Sequence, residues 1–304
     1  MNKALPPLAI PIIAALLLSS CQTMESATSI ATVIAQGAGA ISETQAESIR
    51  KTTKAVARSA EEFTPEQEYY VGRTVGAVVL SKYKAYDNGQ ANRYLNVLGQ
   101  TLAQASDLPD TFGGYHFLIL DSDDINAFAT PSGLIFATRG LLRCCNSEDA
   151  LAAVLAHEIG HVQLRHGMQA IEKARVTAAL TTLAAESAKT LGSREVAELT
   201  KTFEGAIADI TNTLINKGYA RAQEYQADQV SLTILKRVGY SPNGLVEMLT
   251  LMKRNLRPGG VDFAKTHPSP DDRIAEILKS SPRHAPVLPP PARQKRFEQA
   301  MGKI

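Results

Sequence analysis

The stretch Ala156-His157-Glu158-Ile159-Gly160-His161-Val162 decides how the rest of the chain is read. On a helix, four residues at about 100° each bring His161 back to within roughly 40° of His157, one turn along the same face. Both imidazoles can then reach one divalent metal ion. Glu158 points in a neighbouring direction, better placed to take a proton from an attacking water than to be a ligand. Two histidines on a buried helix can also be plain core residues, so the motif needs a third donor.

That donor lies downstream. Arg221-Ala222-Gln223-Glu224-Tyr225-Gln226-Ala227-Asp228 supplies Glu224 and, one turn later on the same face, Asp228. A carboxylate completes a three-ligand zinc site and leaves one position for water, as catalytic rather than structural sites do. Asp228 is spaced to accept the second N–H of a ligand histidine and fix its tautomer. Alone, such a pair of acids reads as a solvated helix face; beside HExxH it reads as a ligand and its support. Zinc would polarise a carbonyl, and Glu158 would serve as general base and then as acid toward the leaving amine.

Further on come His267-Pro268-Ser269-Pro270 and Arg273. HEIGH, then RAQEYQAD, then this Pro-framed histidine resembles the gluzincin metallopeptidases that include HtpX and the CAAX-prenyl endopeptidase. The likeness runs from about Phe63 to Ser280 and is greatest to the periplasmic lipoprotein branch. It implies a mainly α fold with a small β-sheet, an α+β zincin-like metallopeptidase domain with the active-site helix at its centre. It implies one zinc ion on His157, His161 and Glu224, with Glu158 catalytic. His267 would be either a fourth, occluding ligand at rest or a catalytic donor to the reacting oxyanion, the plain alternative being loop structure. Arg273 would pair with Asp228 or another buried acid. Asn126, Ala127 and Phe128 would lie in sheet beside the active-site helix and bind an extended substrate through the backbone, unless the hairpin is purely structural. Unfolded, misfolded or stalled envelope proteins are the substrates so implied, with outer-membrane assembly machinery as a partner. The rival reading is a chaperone-like assembly or binding factor for outer-membrane proteins, with proteolysis silent or secondary.

The two ends carry different messages. Residues 1–20 hold Lys3, then an apolar run ending at Leu16-Leu17-Leu18, and read as a signal peptide rather than a membrane span. Leu18-Ser19-Ser20-Cys21 resembles a bacterial lipobox, making Cys21 the lipidated first residue, with membrane attachment through that lipid. Gln22 after it fits an outer-membrane lipoprotein facing the periplasm, if the source is Gram-negative. Residues 21–62 are rich in Ala, Ser and Thr and read as a tether, either a disordered stalk or a docked helix. Residues 63–281 form the peptidase domain, and 282–304 a Pro-rich C-terminal tail.

Thirty-two Lys and Arg against 30 Asp and Glu leave a net charge of +2, which gives no basis for nucleic-acid binding. Cys144 and Cys145 are too close in sequence to bridge without strain and are left as buried thiols, a strained pair or partners of other molecules.

Local signals place the elements. Thr64, Pro65 and Gln67 make a capping-box start for a helix to about Lys82, and Leu95, Leu98 and Leu102 mark a second over about 90–105. Tyr115 to Leu120 reads as a strand, and 126–130 with 134–138 as a hairpin about Pro131-Ser132-Gly133. Ser147 caps the active-site helix, with Gly167 as its stop and His166 carrying no metal role. Residues 168–217 read as two helices about Leu191-Gly192-Ser193. The Glu224 helix ends at Gly239, and another follows to Asn255.

Overall fold

The structure, a computed structural model, describes residues 63–170, 218–255, 267–281 and 289–302, with 30, 32–39, 42–44, 46–47, 50, 211 and 304. The signal segment and Cys21, most of the tether, the helices expected about Leu191, the Arg257–Gly260 loop and 282–288 lie outside the described residues. The chain divides into two compact units, one of 1–62 with 170–208 and one of 63–169 with 209–304. Of the first, the described part includes a helical stretch at 32–37 that exposes Val33 and Ile34. All that follows concerns the second unit.

Helix α1 (Pro65–Lys82) starts at the expected capping box, Thr64 Oγ1 accepting from Gln67 N while the Gln67 side chain accepts from Thr64 N. Helix α2 (Gly89–Ala103) buries Leu95, Leu98 and Leu102. Strands β1 (His116–Leu120), β2 (Ala127–Ala129) and β3 (Leu134–Thr138) form one sheet in the order β1-β3-β2, with β1 parallel and β2 antiparallel to β3. The expected hairpin is therefore β2 and β3, joined through a 3-10 turn at Pro131–Gly133. After the short α3 (Arg139–Leu142) come the central α4 (Glu148–Gln163), α5 (Arg221–Val238), α6 (Asn243–Asn255), α7 (Pro270–Ser280) and α8 (Pro291–Met301).

Alternation along the strands splits the apolar side chains between two faces. Phe128 and Phe136 pack with Val79 of α1 and Leu120 on one face. Ala127, Ala129, Ile135 and Ala137 face the larger core built on α4. Every residue of α4 from Glu148 to Val162 is buried, the all-round burial expected of a central helix. Small residues then let α5 approach it. A Cβ on Gly160 would stand 3.1 Å from the Ala227 backbone, and Ser231 Oγ donates to Ala153 O at 3.1 Å.

The sheet has two edges, and they are treated differently. The β1 edge is closed by asparagine side chains of α2: Phe117 N donates to Asn96 Oδ1 at 3.0 Å and Ile119 N to Asn92 Oδ1 at 2.9 Å. Tyr86 N also donates to Ile119 O, at 2.8 Å. An edge so occupied cannot add a strand.

Two expectations are corrected. The active-site helix stops at Gln163, with Leu164 as C-cap, because Arg165 takes φ 54° and turns the chain before Gly167 is reached. The segment read as a tail contains α8, which buries Phe297, Ala300 and Met301 in the main core, so the compact unit runs past residue 281. Among the described residues no helix is long and apolar enough to cross a membrane.

Candidate metal centre and the neighbouring strand edge

Helical spacing on α4 places His157 and His161 with their Nε2 atoms 3.1 Å apart, and the Gly160–Ala227 contact brings Glu224 of α5 against them. Glu224 Oε2 lies 3.4 Å from His157 Nε2, and its Oε1 lies 3.4 Å from His161 Nε2. His267, on the turn before α7, brings its Nε2 to 3.6 Å from Glu224 Oε2. Donor atoms of these four residues all fall within 4.8 Å of one another. The expected ligand set and His267 thus converge, although they come from three separate parts of the chain.

The Nδ1 sides of the two imidazoles show why their Nε2 atoms face inward. His157 Nδ1 is 2.9 Å from Asp228 Oδ1, and Asp228 is gripped by Arg273, whose Nε donates to Oδ2 at 3.0 Å and whose Nη2 donates to Oδ1. Arg273, fully buried, also sits 3.1 Å from His157 Nδ1. Asp228 thus meets both Arg273 and His157. His161 Nδ1 is 2.9 Å from His166 Nδ1, and His166 Nε2 is 3.2 Å from Gln226 Oε1. The left-handed Arg165 swings His166 back toward the helix it has just left. Counting helical turns from His161 sends it elsewhere, and that is why the sequence missed it. In the tautomers with both protons on Nδ1, the ones that can ligate a metal, the two Nε2 lone pairs face the same point.

The state of Glu224 tests whether a cation fits. Both Glu224 carboxylate oxygens are buried without a hydrogen-bond partner, the imidazole nitrogens standing at 3.4 Å. A buried carboxylate so left is costly. A dication among these atoms relieves that cost, and one carboxylate with imidazoles is a zinc donor set. The residues fit zinc.

Burial raises the Glu158 carboxyl to about 7, with nearby Glu224 adding to the rise and His157 opposing it. Burial also raises Glu224 and pushes His161 well below its usual value. For His157, burial lowers the pKa, but the Asp228 and Glu224 carboxylates outweigh it and carry it to about 9. Burial opposes the ionised form of Asp228 too, yet the Arg273 guanidinium holds its carboxyl low.

Tyr219, just before α5, is a second residue the sequence did not single out. Its ring stacks on His161 with centroids 4.0 Å apart and planes at 15°, while its hydroxyl donates to Ala129 O of β2 at 2.9 Å. Nothing in the spacing of the motifs marks this tyrosine.

Strand β2 is the sheet edge away from α2. Thr138 N donates to Asn126 O at 3.1 Å and Thr130 N to Leu134 O at 2.9 Å, so the ladder bonds of β2 fall at 126, 128 and 130. Ala127 and Ala129 therefore turn their backbone groups outward. This shifts the expected trio of Asn126, Ala127 and Phe128. Phe128 bonds inward and packs its ring on the α1 face, and Asn126 is buried with its Oδ1 accepting from Ala127 N at 2.9 Å.

A model of Peptidase family M48 matches residues 89–281. The chain is 28% identical over 225 residues to the beta-barrel assembly-enhancing protease of Escherichia coli (strain K12), covering 73% of this chain and 44% of that protein. It is 32% identical over 158 residues to the mitochondrial metalloendopeptidase OMA1 of Schizosaccharomyces pombe, covering 50% of this chain and 42% of that one. It is 26% identical over 162 residues to metalloprotease LoiP of E. coli (strain K12), covering 53% of this chain and 61% of that one. The chain thus spans less than half the length of the first two relatives.

Proposed function

The chain belongs to peptidase family M48, a zinc-dependent family, and from that premise we propose that it is a zinc endopeptidase acting on extended segments of cell-envelope proteins. The observation that carries this reading is the convergence of His157, His161 and Glu224, with both Glu224 oxygens buried and unpartnered, beside a buried Glu158. Zinc held there supplies Lewis-acid stabilisation of developing negative charge and a more acidic attacking water.

The chain's own residues do the rest. Glu158, buried beside the donor set, takes a proton from the attacking water and returns it to the leaving nitrogen. Asp228, held by Arg273, keeps His157 in the tautomer that offers Nε2 to the metal. The outward groups of Ala127 and Ala129 hold the substrate main chain, which gives affinity with little dependence on side chains. That selectivity suits unfolded or misfolded proteins, which expose extended backbone. His267 either caps the metal at rest or donates to the oxyanion.

By analogy with the relatives, the substrates are envelope proteins and the assembly of outer-membrane barrels is the setting, with Cys21 lipidated and the domain in the periplasm. A chaperone-like binding role is the second reading, and the position of His267 among the donors favours it, since a fourth ligand would keep the site closed. Glu158→Gln separates the two. We expect casein cleavage to fall by about 10²- to 10⁴-fold while the variant retains one zinc ion per chain. If cleavage persists, Glu158 is not the base. If cleavage vanishes but envelope phenotypes are fully rescued, binding is the function.

A further inference from the structure

The geometry points to Tyr219 as a specificity-determining residue that limits how many backbone hydrogen bonds strand β2 can offer a substrate. This rests on the edge-binding part of the proposed function. Along the outward side of β2 run four backbone groups, the N–H and C=O of Ala127 and of Ala129. Two are already engaged. Asn126 Oδ1 accepts from Ala127 N at 2.9 Å, and the Tyr219 hydroxyl donates to Ala129 O at 2.9 Å. Among the described residues nothing bonds to Ala127 C=O or Ala129 N–H, and these remain for a guest strand once the edge, buried here with Ala127 4% and Ala129 7% exposed, opens to it.

The pattern has a chemical consequence. An antiparallel partner residue bonds to both the N–H and the C=O of the residue opposite it. Neither Ala127 nor Ala129 has both to give, so such a partner gets one bond from each. The cap at Ala129 is also tied to the metal centre, because the same tyrosine ring lies 4.0 Å from the His161 ring, nearly parallel to it. The hydroxyl therefore ends the guest ladder at a fixed place beside a ligand histidine. A peptide that fits must present its hydrogen-bonding groups to one acceptor and one donor only, and further backbone pairing on the Ala129 side is excluded.

The test uses Tyr219→Phe, which deletes the hydroxyl and keeps the stacked ring. Its probe is a synthetic peptide spanning one casein cleavage site, with a series carrying a single backbone N-methyl group at each position. In the natural chain, N-methylation should raise KM at the position whose N–H meets Ala127 C=O. In Tyr219→Phe, one additional position should become sensitive, because its N–H now reaches Ala129 C=O. KM for the unmodified peptide should fall by about two- to tenfold, the value of one such bond. Zinc affinity, measured by chelator competition, should match that of the natural chain because the ring on His161 is retained.

An unchanged sensitivity pattern in Tyr219→Phe would overturn the role of Tyr219 and leave edge binding standing. Insensitivity at every position in both proteins would instead overturn edge binding and this inference with it. A fall in kcat with KM unmoved would make Tyr219 a donor to the reaction, which also overturns the limit proposed here.

Discussion

At the scale of single residues, the two ligand histidines are held by unlike partners. His157 rests on a buried carboxylate braced by a guanidinium, whereas His161 rests on a neutral chain of His166 and Gln226. Removing the charge of Asp228 takes from the buried Arg273 the carboxylate that holds both its Nε and Nη2. We expect Asp228→Asn to cost about 3–5 kcal/mol in urea unfolding, the usual penalty for breaking a buried pair. Zinc affinity should weaken by about 10- to 100-fold in the same variant. An unfolding midpoint within error of the natural chain would show that Arg273 finds another partner. The residues legible in the sequence were those whose relation is set by helical repeat: His157 with His161, and Glu224 with Asp228. His166 and Tyr219 act across a chain reversal and between elements, and no local spacing encodes that.

Among the elements, α8 shows how a weak sequence signal hid a strong tertiary one. Its apolar residues are few, and a Pro-rich run precedes it, so it reads as a tail. In the fold, Arg296 donates through both Nε and Nη2 to Glu148 at the start of α4, and Arg293 Nη1 donates to Asp149 Oδ1 at 3.1 Å. Tyr240 donates to Glu148 Oε1 at 2.6 Å, and Tyr94 donates to Oε2. The helix dipole accounts for the sign of Glu148 and Asp149 in the first turn of α4 but not for their burial.

Burial opposes ionisation of Glu148, yet Arg296, Tyr240 and Tyr94 outweigh it and hold its pKa below the ordinary carboxylate value. A depressed folded pKa gives stability that is present at neutral pH and lost as pH falls below about 4.3, the unfolded value, through the folded one. Glu148→Gln should therefore be less stable at pH 7, by about 2 kcal/mol, and the gap should narrow steadily below pH of about 4.3. Urea midpoints across pH check it, and a gap constant with pH would deny the linkage.

A second element-scale prediction concerns α1 against the turn between β2 and β3. A Cβ on Gly72 would sit 1.9 Å from Pro131 O, so no side chain fits there. Gly72→Ala should cost about 1–3 kcal/mol in a thermal melt and should raise KM by displacing β2. Unchanged KM with lowered stability would mean the turn yields without moving the strand.

For the molecule as a whole, the metal is part of the folding balance. Glu224 is a buried carboxylate whose oxygens have no hydrogen-bond partner, so the fold carries a strain that zinc relieves. Zinc binds the folded site and not the unfolded chain, which adds about 2.7 kcal/mol at a free concentration of 100 Kd. Chelation should lower Tm accordingly. Glu224→Gln should be at least as stable as the metal-free natural chain and should gain much less from added zinc. Equal zinc-induced shifts in the two proteins would remove Glu224 from the donor set. The α+β class came with the family resemblance, and the central place of α4 agrees with Leu151, Val154, Leu155, Ile159 and Val162 lying almost all round it. The sheet order was not, since β1 and β3 pair in parallel across an intervening strand and only tertiary packing selects that partner.

The contact between Arg273 and His157 joins positions 116 apart in the chain. Loops of that span close late, because their entropy must be met before the contact rewards it. A half-built molecule therefore has the catalytic helix but neither its third donor nor the brace behind its first. The donor set of this unit is therefore completed only with the finished fold, when α5 and α7 have both closed on α4.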